Sequence, residues 1–216
     1  MNNLLKSTVL AVSLSVGVGA QSASAATVSS IGESFTVSYN YLDTLIADLT
    51  WTVTNIVGDR WFFDVLIDND SPNPSNNETN RITSFGFTTD PSATNVSATG
   101  DWDATTGGIQ AGYQNLNIEA CVYDGVNCNA GGGGPTIGVA GGEEETVSLA
   151  FDYGGGTELF FTDFATRWQS MSVSAPGGGD SMVLAPSPVP LPAAGWLLLA
   201  GVGGLVALKR RKGSAA

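Results

Sequence analysis

The chain has 216 residues, with eight basic side chains against twenty acidic ones, a net charge of −12 and no histidine. That composition excludes an imidazole base, a Ser-His-Asp or Cys-His pair and any zinc site completed by histidine. It also excludes nucleic acid as a natural partner, because phosphate binding needs a basic stripe, and two cysteines are too few for a disulfide scaffold.

Residues 1–25 have the three-part pattern of a secretory signal peptide. Lys6 is the positive flank, Thr8 to Ala20 is a short run rich in Val, Leu, Gly and Ala, and Ala23-Ser24-Ala25 is a small-residue cleavage site. Gly17 and Gly19 make the same run a poor buried helix. Signal peptidase is therefore an expected partner. Cleavage after Ala25 would leave Ala26 as the first residue of the mature chain.

Residues 26–175 read as one domain. All twenty acidic residues of the chain fall between Glu33 and Asp180, where only Arg60, Arg81 and Arg167 oppose them, so this stretch carries −17 and no lysine. Such a charge keeps an exported protein soluble and favours divalent cations over polyanions. The hydrophobic pattern has period two. In SFTVSYN, Phe35, Val37 and Tyr39 share a face; in TLIADLTWTVTNIV, Leu45, Ala47, Leu49, Trp51 and Val53 do. RWFFDVLID puts Trp61, Phe63, Val65 and Ile67 together, and ETVSLAFDY does the same with Val147, Leu149, Phe151 and Tyr153. RITSFGFTTD, LNIEACVYD, ELFFTDF and RWQSMSV are further strand candidates. Turn clusters such as NIVGDR, DNDSPNPSNN, AGGGGP and YGGG separate them, and no segment has helical periodicity over three turns. The expectation is an all-β fold, an antiparallel β-sandwich of seven to nine short strands. The pattern leaves immunoglobulin-like and jelly-roll topologies both open.

Within this domain, Cys121 and Cys128 lie seven positions apart in CVYDGVNCNAGGGG, with Asp124-Gly125 as a turn between them. In an oxidising compartment they are expected to pair and pin a glycine-loaded loop to the end of a strand. The spacing is not CxxC and no further thiol or imidazole exists to complete a metal site. The carboxylates are the remaining source of chemistry. Asp68 and Asp70, with Glu78, sit in DNDSPNPSNNE; Asp101 and Asp103 flank Trp102; Glu143 to Glu145 form a run. Calcium takes six to eight oxygens of this kind, but Pro72 interrupts the EF-hand spacing. A solvated acidic loop with Asx turns is the expectation, with no resident cofactor and calcium as the metal these carboxylates would take. Paired carboxylates also hydrolyse glycosidic bonds, though the sequence does not say which two converge. Trp102 fits a core aromatic at a strand edge better than an exposed sugar-stacking platform.

The segment 176–190 is a Gly/Pro/Ser-rich linker, and 189–212 has a second three-part pattern: Val189-Pro190-Leu191-Pro192-Ala193, an apolar run from Ala193 to Leu208, and the basic cluster Lys209, Arg210, Arg211 and Lys212. Sixteen apolar residues rise about 24 Å as a helix, slightly short of the roughly 30 Å hydrocarbon core. Leu191 and snorkelling basic stems can make up part of the difference. The cluster would stop in the cytoplasm by the positive-inside rule. Two prolines would keep the motif extended and outside the helix.

This tail resembles the VPLPA-CTERM form of the PEP-CTERM sorting signals that exosortases handle in Gram-negative bacteria. The resemblance implies that an exosortase-type transpeptidase cuts at the proline motif and releases or transfers the domain to the cell surface or the extracellular space. The inner membrane would then hold the precursor only transiently. The Gram-positive sortase motif fits less well, because alanine stands where LPxTG needs threonine. Residues 45 to 175, through RITSFGF, DPSATNVSATGDWD, the paired-cysteine loop and LFFTDFATRWQSM, resemble the cistern family of PEP-CTERM proteins. That likeness implies an exported β-rich domain with no catalytic residues to transfer. The function expected from these readings is a non-enzymatic surface or extracellular-matrix protein. The alternative is a secreted carbohydrate-binding or carboxylate-dependent carbohydrate-active protein, with an extracellular polysaccharide as its partner.

Overall fold

The computed structural model describes residues 25–73, 79–109, 118–128, 137–175 and 181–187. Among them are eleven strands, in chain order β1 (Ala26–Val28), β2 (Ser34–Tyr41), β3 (Leu45–Val57), β4 (Arg60–Asn69), β5 (Arg81–Thr89), β6 (Thr94–Ala98), β7 (Trp102–Thr106), β8 (Ala120–Asp124), β9 (Glu143–Asp152), β10 (Leu159–Gln169) and β11 (Ser181–Leu184), with no helix. They form two wholly antiparallel sheets. One has the order β2-β3-β4-β9-β6. The other runs β1-β10-β5-β8-β7, with β11 beside β1 on the same flank of β10. The all-β expectation is met.

The alternation read from sequence is what builds the first sheet. Phe35, Val37 and Tyr39 of β2, Leu49 and Trp51 of β3, Phe63 and Val65 of β4, and Leu149 and Phe151 of β9 are all buried on one face, while their neighbours take the other. Gly58, at φ 60°, lets Gly58-Asp59 form the two-residue connection between β3 and β4, whose ends pair as Val57 with Arg60. The second sheet supplies Phe85, Phe87, Phe161 and Phe164 to the same core. Trp51 touches all four, at centroid distances of 5.4–5.7 Å. The two sheets therefore face each other through rings in edge-to-face contact, the geometry their quadrupoles favour.

The second sheet is buried on its outer side as well. A separate apolar cluster of Ile109, Ile118, Cys121, Cys128, Ala165 and Val183 lies there. A side chain on Gly86 would collide with Ile118, whose Cγ2 would be 2.5 Å from its Cβ. Cys121 and Cys128 are joined in this cluster with Cα atoms 6.2 Å apart. Closing so short a loop contributes about 2.5 kcal/mol by chain entropy. Of the two outer faces, only that of the five-stranded sheet lacks such a cover among the described residues.

The structure differs from the sequence reading in three places. ELFFTDF and RWQSMSV are largely one strand, β10, since nothing between them breaks a strand; register shifts at Phe161/Asp163 and Arg167/Trp168 absorb the change of phase. The segment 176–190, read as a linker, contains β11, because Met182, Val183 and Leu184 can be buried on both sides of a sheet edge. Finally, β1, β6 and β7 span only three to five residues, too short for alternation to reveal, and with β11 they bring the strands to eleven where seven to nine were expected.

Candidate functional site on the outer face of the five-stranded sheet

Two register breaks shape this face. In β3 the pairing with β4 skips a residue between Val53 and Asn55, so Thr54 is bulged out. In β6 the pairing with β9 slips between Thr94 and Ser97, with Asn95 in the left-handed region at φ 49°. Bulges bend and twist the strand that carries them. These two flank the β4–β9 pair, and between them lies an open concavity of about 330 Å³. Its lining includes Phe62, Leu149 and Ala150 with the polar groups of Thr54, Arg60, Asp64, Ser97, Thr99 and Ser148.

Arg60 is the organising residue. One terminal nitrogen, Nη1, donates to Asp152 Oδ1 at 2.8 Å and to the Asn95 carbonyl at 3.3 Å, while Nη2 donates to Ser97 Oγ at 2.9 Å. Its guanidinium carbon lies 5.8 Å from the Phe62 ring centroid. Asp152 also accepts from the Asn95 amide at 2.6 Å, and the Asn95 amide and the Arg60 guanidinium hold its carboxyl below the usual range. Arg60–Asp152 is the one ion pair among the described residues. On the opposite wall, Ser148 Oγ donates to Asp64 Oδ1 at 2.7 Å. The second oxygen of Asp64 and the hydroxyls of Thr54 and Thr99 make no hydrogen bond among the described residues.

The residues singled out in the sequence lie elsewhere. Asp68 is on the same outer face but at the far end of β4, in register with Asp48 on one side and Glu144 on the other. Burial, with Asp70, Glu144 and Asp48 nearby, raises its carboxyl above the ordinary value. Asp101 and Asp103 flank Trp102 at β7, in the other sheet, so the four calcium candidates fall into two separate pairs. Among the described residues no group of three or more Cys, Asp or Glu is arranged to hold a metal ion. Trp102 is buried against Phe85 and donates its indole N–H to Glu145 Oε1 at 2.9 Å, which removes it as an exposed sugar platform. Ala26 opens β1, in register with Phe161. Ala23, Glu78, Val189, Pro190, Leu191, Pro192, Ala193, Lys209, Arg210, Arg211 and Lys212 lie outside the described residues, as does the apolar run 193–208. No helix among the described residues is long and apolar enough to cross a membrane.

The aligned carboxylates at Asp48, Asp68 and Glu144 have a measurable consequence. Like charges directly opposite on adjacent strands repel. Because the folded pKa of Asp68 is raised, the penalty is present in full above that value and disappears as pH falls through it towards the unfolded value. Asp68→Asn should stabilise the protein by roughly 0.2–1 kcal/mol at about pH 7, and the gain should fade below about pH 4. Urea melts of both proteins at the two pH values check this; an equal gain at both, or a loss at neutral pH, would contradict it.

No family model, curated protein or solved structure matches this chain.

Proposed function

We propose that this chain is an exported, non-enzymatic surface or extracellular-matrix protein, delivered as an inner-membrane precursor and freed or transferred by cleavage of its tail at Val189 to Ala193. The observation that carries the reading is the order of features after residue 188: a proline-spaced motif, a barely membrane-spanning apolar run, and four consecutive cations. Three further facts support it. The body between the two signal-like segments has no lysine and a net charge of −17, which suits a soluble secreted surface. Its Cys121–Cys128 bridge suits an oxidising compartment. Ala26, the expected first residue after signal cleavage, is also the first residue of β1.

The topology we read as an immunoglobulin-like sandwich. The pairs β4–β9 and β5–β10 interleave along the chain, while β6 adds to β9 and β11 to β10. An immunoglobulin-type Greek key pairs its strands across the two sheets in that way.

Replacing Pro190 and Pro192 with alanine should let the helix extend upstream and hide the cleavage motif. In a producing bacterium the wild-type protein should accumulate outside the cell, while Pro190→Ala/Pro192→Ala stays in the inner-membrane fraction at precursor mass. If the double variant reaches the outside as the wild type does, the motif is not the processing signal.

A further inference from the structure

We infer that the concavity between the two bulges is a binding site for one pyranose ring of a neutral polysaccharide. Its floor is apolar, made by the outward-facing side chains of Phe62 and Ala150. Its rim holds unused hydrogen-bonding capacity in Asp64 Oδ2 and the hydroxyls of Thr54 and Thr99. An apolar floor with a few fixed polar groups is the general make-up of a small-molecule site, and 330 Å³ falls at the small end of such sites.

Charge and geometry narrow the ligand class. The charge of Arg60 is already paired with Asp152, and three of its five N–H groups go to Asp152, Ser97 and the Asn95 carbonyl, so its main part is to fix the wall. Asp64 adds a further negative charge, and the stretch from Glu33 to Asp180 around it carries −17, so a polyanion is repelled on approach. Asp64 is also the one carboxylate at the rim with an oxygen to spare, too few ligands for calcium. A purely apolar ligand would leave Asp64 and the two threonine hydroxyls desolvated without partners. A sugar ring satisfies both halves of the site. Its C–H face covers Phe62, and its equatorial hydroxyls donate to Asp64 and exchange hydrogen bonds with Thr54 and Thr99.

Aromatic placement supports the assignment. Phe62 stands on the polar phase of β4, between inward-facing Trp61 and Phe63, where alternation calls for a hydrophilic residue. The Arg60 guanidinium beside it and the bulge at Thr54 leave the ring half-exposed at the bottom of a hollow. This inference deepens the proposed surface role only in supplying a ligand for it; sugar binding and tail cleavage fail or succeed independently.

The test is calorimetric titration of the full chain, held in a sugar-free zwitterionic detergent, with cellotriose, maltotriose and trigalacturonate. At least one neutral trisaccharide should bind with a Kd on the order of 1 mM or tighter, and trigalacturonate at least about tenfold more weakly. Phe62→Ala and Asp64→Ala should each weaken binding at least about tenfold. Thr99→Val, which keeps shape and removes the hydroxyl, should weaken it about threefold or more without changing the melting temperature. Absence of binding by both neutral sugars at about 10 mM would overturn the assignment. So would equal binding of trigalacturonate, or unchanged affinity in Asp64→Ala and Thr99→Val proteins that melt as the wild type does.

Discussion

Replacing Trp51 with alanine is expected to destabilise the domain by about 3–5 kcal/mol, the range for a large aromatic removed from a packed core. Trp51 is 1% exposed and lies at the centre of the ring cluster, in contact with Phe35 and Phe63 of its own sheet and Phe85, Phe87, Phe161 and Phe164 of the other. Deleting it opens a cavity where the two sheets meet. The surrounding rings come from four different strands, so no single strand can shift to fill it. Trp51→Phe should cost much less, about 1.5 kcal/mol or under. The indole N–H of Trp51 is buried without a hydrogen-bond partner among the described residues, and phenylalanine removes that donor together with only part of the ring. Chemical denaturation of the three proteins measures both values. Equal losses for Ala and Phe would mean that the indole makes a polar contact on which the fold depends.

Replacing Asn69 with leucine is expected to cost about 3 kcal/mol, although leucine is apolar, of similar size and placed at an inward position. Asn69 ends β4 and is fully buried. Its amide nitrogen donates to the Asn80 carbonyl at 2.8 Å and to the Val139 carbonyl at 2.9 Å, and its oxygen accepts from the Ser71 N–H at 3.2 Å. Val139 O keeps a second donor in the Ile82 N–H, so the groups stranded by leucine are the Asn80 carbonyl and the Ser71 N–H. Asn80 continues the network. It donates to the Pro72 carbonyl at 2.7 Å and accepts from the Ser172 N–H at 2.7 Å, at a φ of 44°. Three loops are thus held at one end of the two sheets through two asparagines. Asn69→Asp should be no better than leucine at neutral pH, since a carboxylate has no hydrogen to give either carbonyl. Melts of both variants test this, and a loss under about 1 kcal/mol for either would show that the loops are held by other contacts.

The same alternation that made the strands legible also marks two departures from it. Counting inward positions along β4 from Trp61 reaches Asn69, a polar residue where the pattern calls for an apolar one; counting outward positions reaches Phe62, an aromatic where it calls for a polar one. The first is the buried knot and the second is the floor of the concavity. Asn69 and Ser71 lie in the segment DNDSPNPSNNE, which reads from sequence as a solvated acidic loop with Asx turns, and Asn80 follows just after it. In the fold all three side chains are spent on backbone groups, Ser71 on both the N–H and the carbonyl of Ile46. The rest of the site was not legible. Arg60, Ser97 and Asp152 come from three strands, with up to 92 residues between partners, and the bulge at Thr54 leaves no signature in a run that alternates well on both sides. The burial of Trp102 was legible only as a preference between two readings, and its bond to Glu145 on the opposite sheet depends on a fold-level juxtaposition.

Under the proposed function, export and tail cleavage turn an anchored precursor into a free or surface-linked acidic domain. Peptide-level mass spectrometry of the protein recovered from outside producing cells tests it most directly. The N-terminal peptide should begin at Ala26, and no peptide should extend beyond Ala193, so that the cluster Lys209 to Lys212 is absent. An extracellular form that retains Met1, or one that still carries Lys209 to Lys212, would contradict the account and leave a simple membrane anchor in its place.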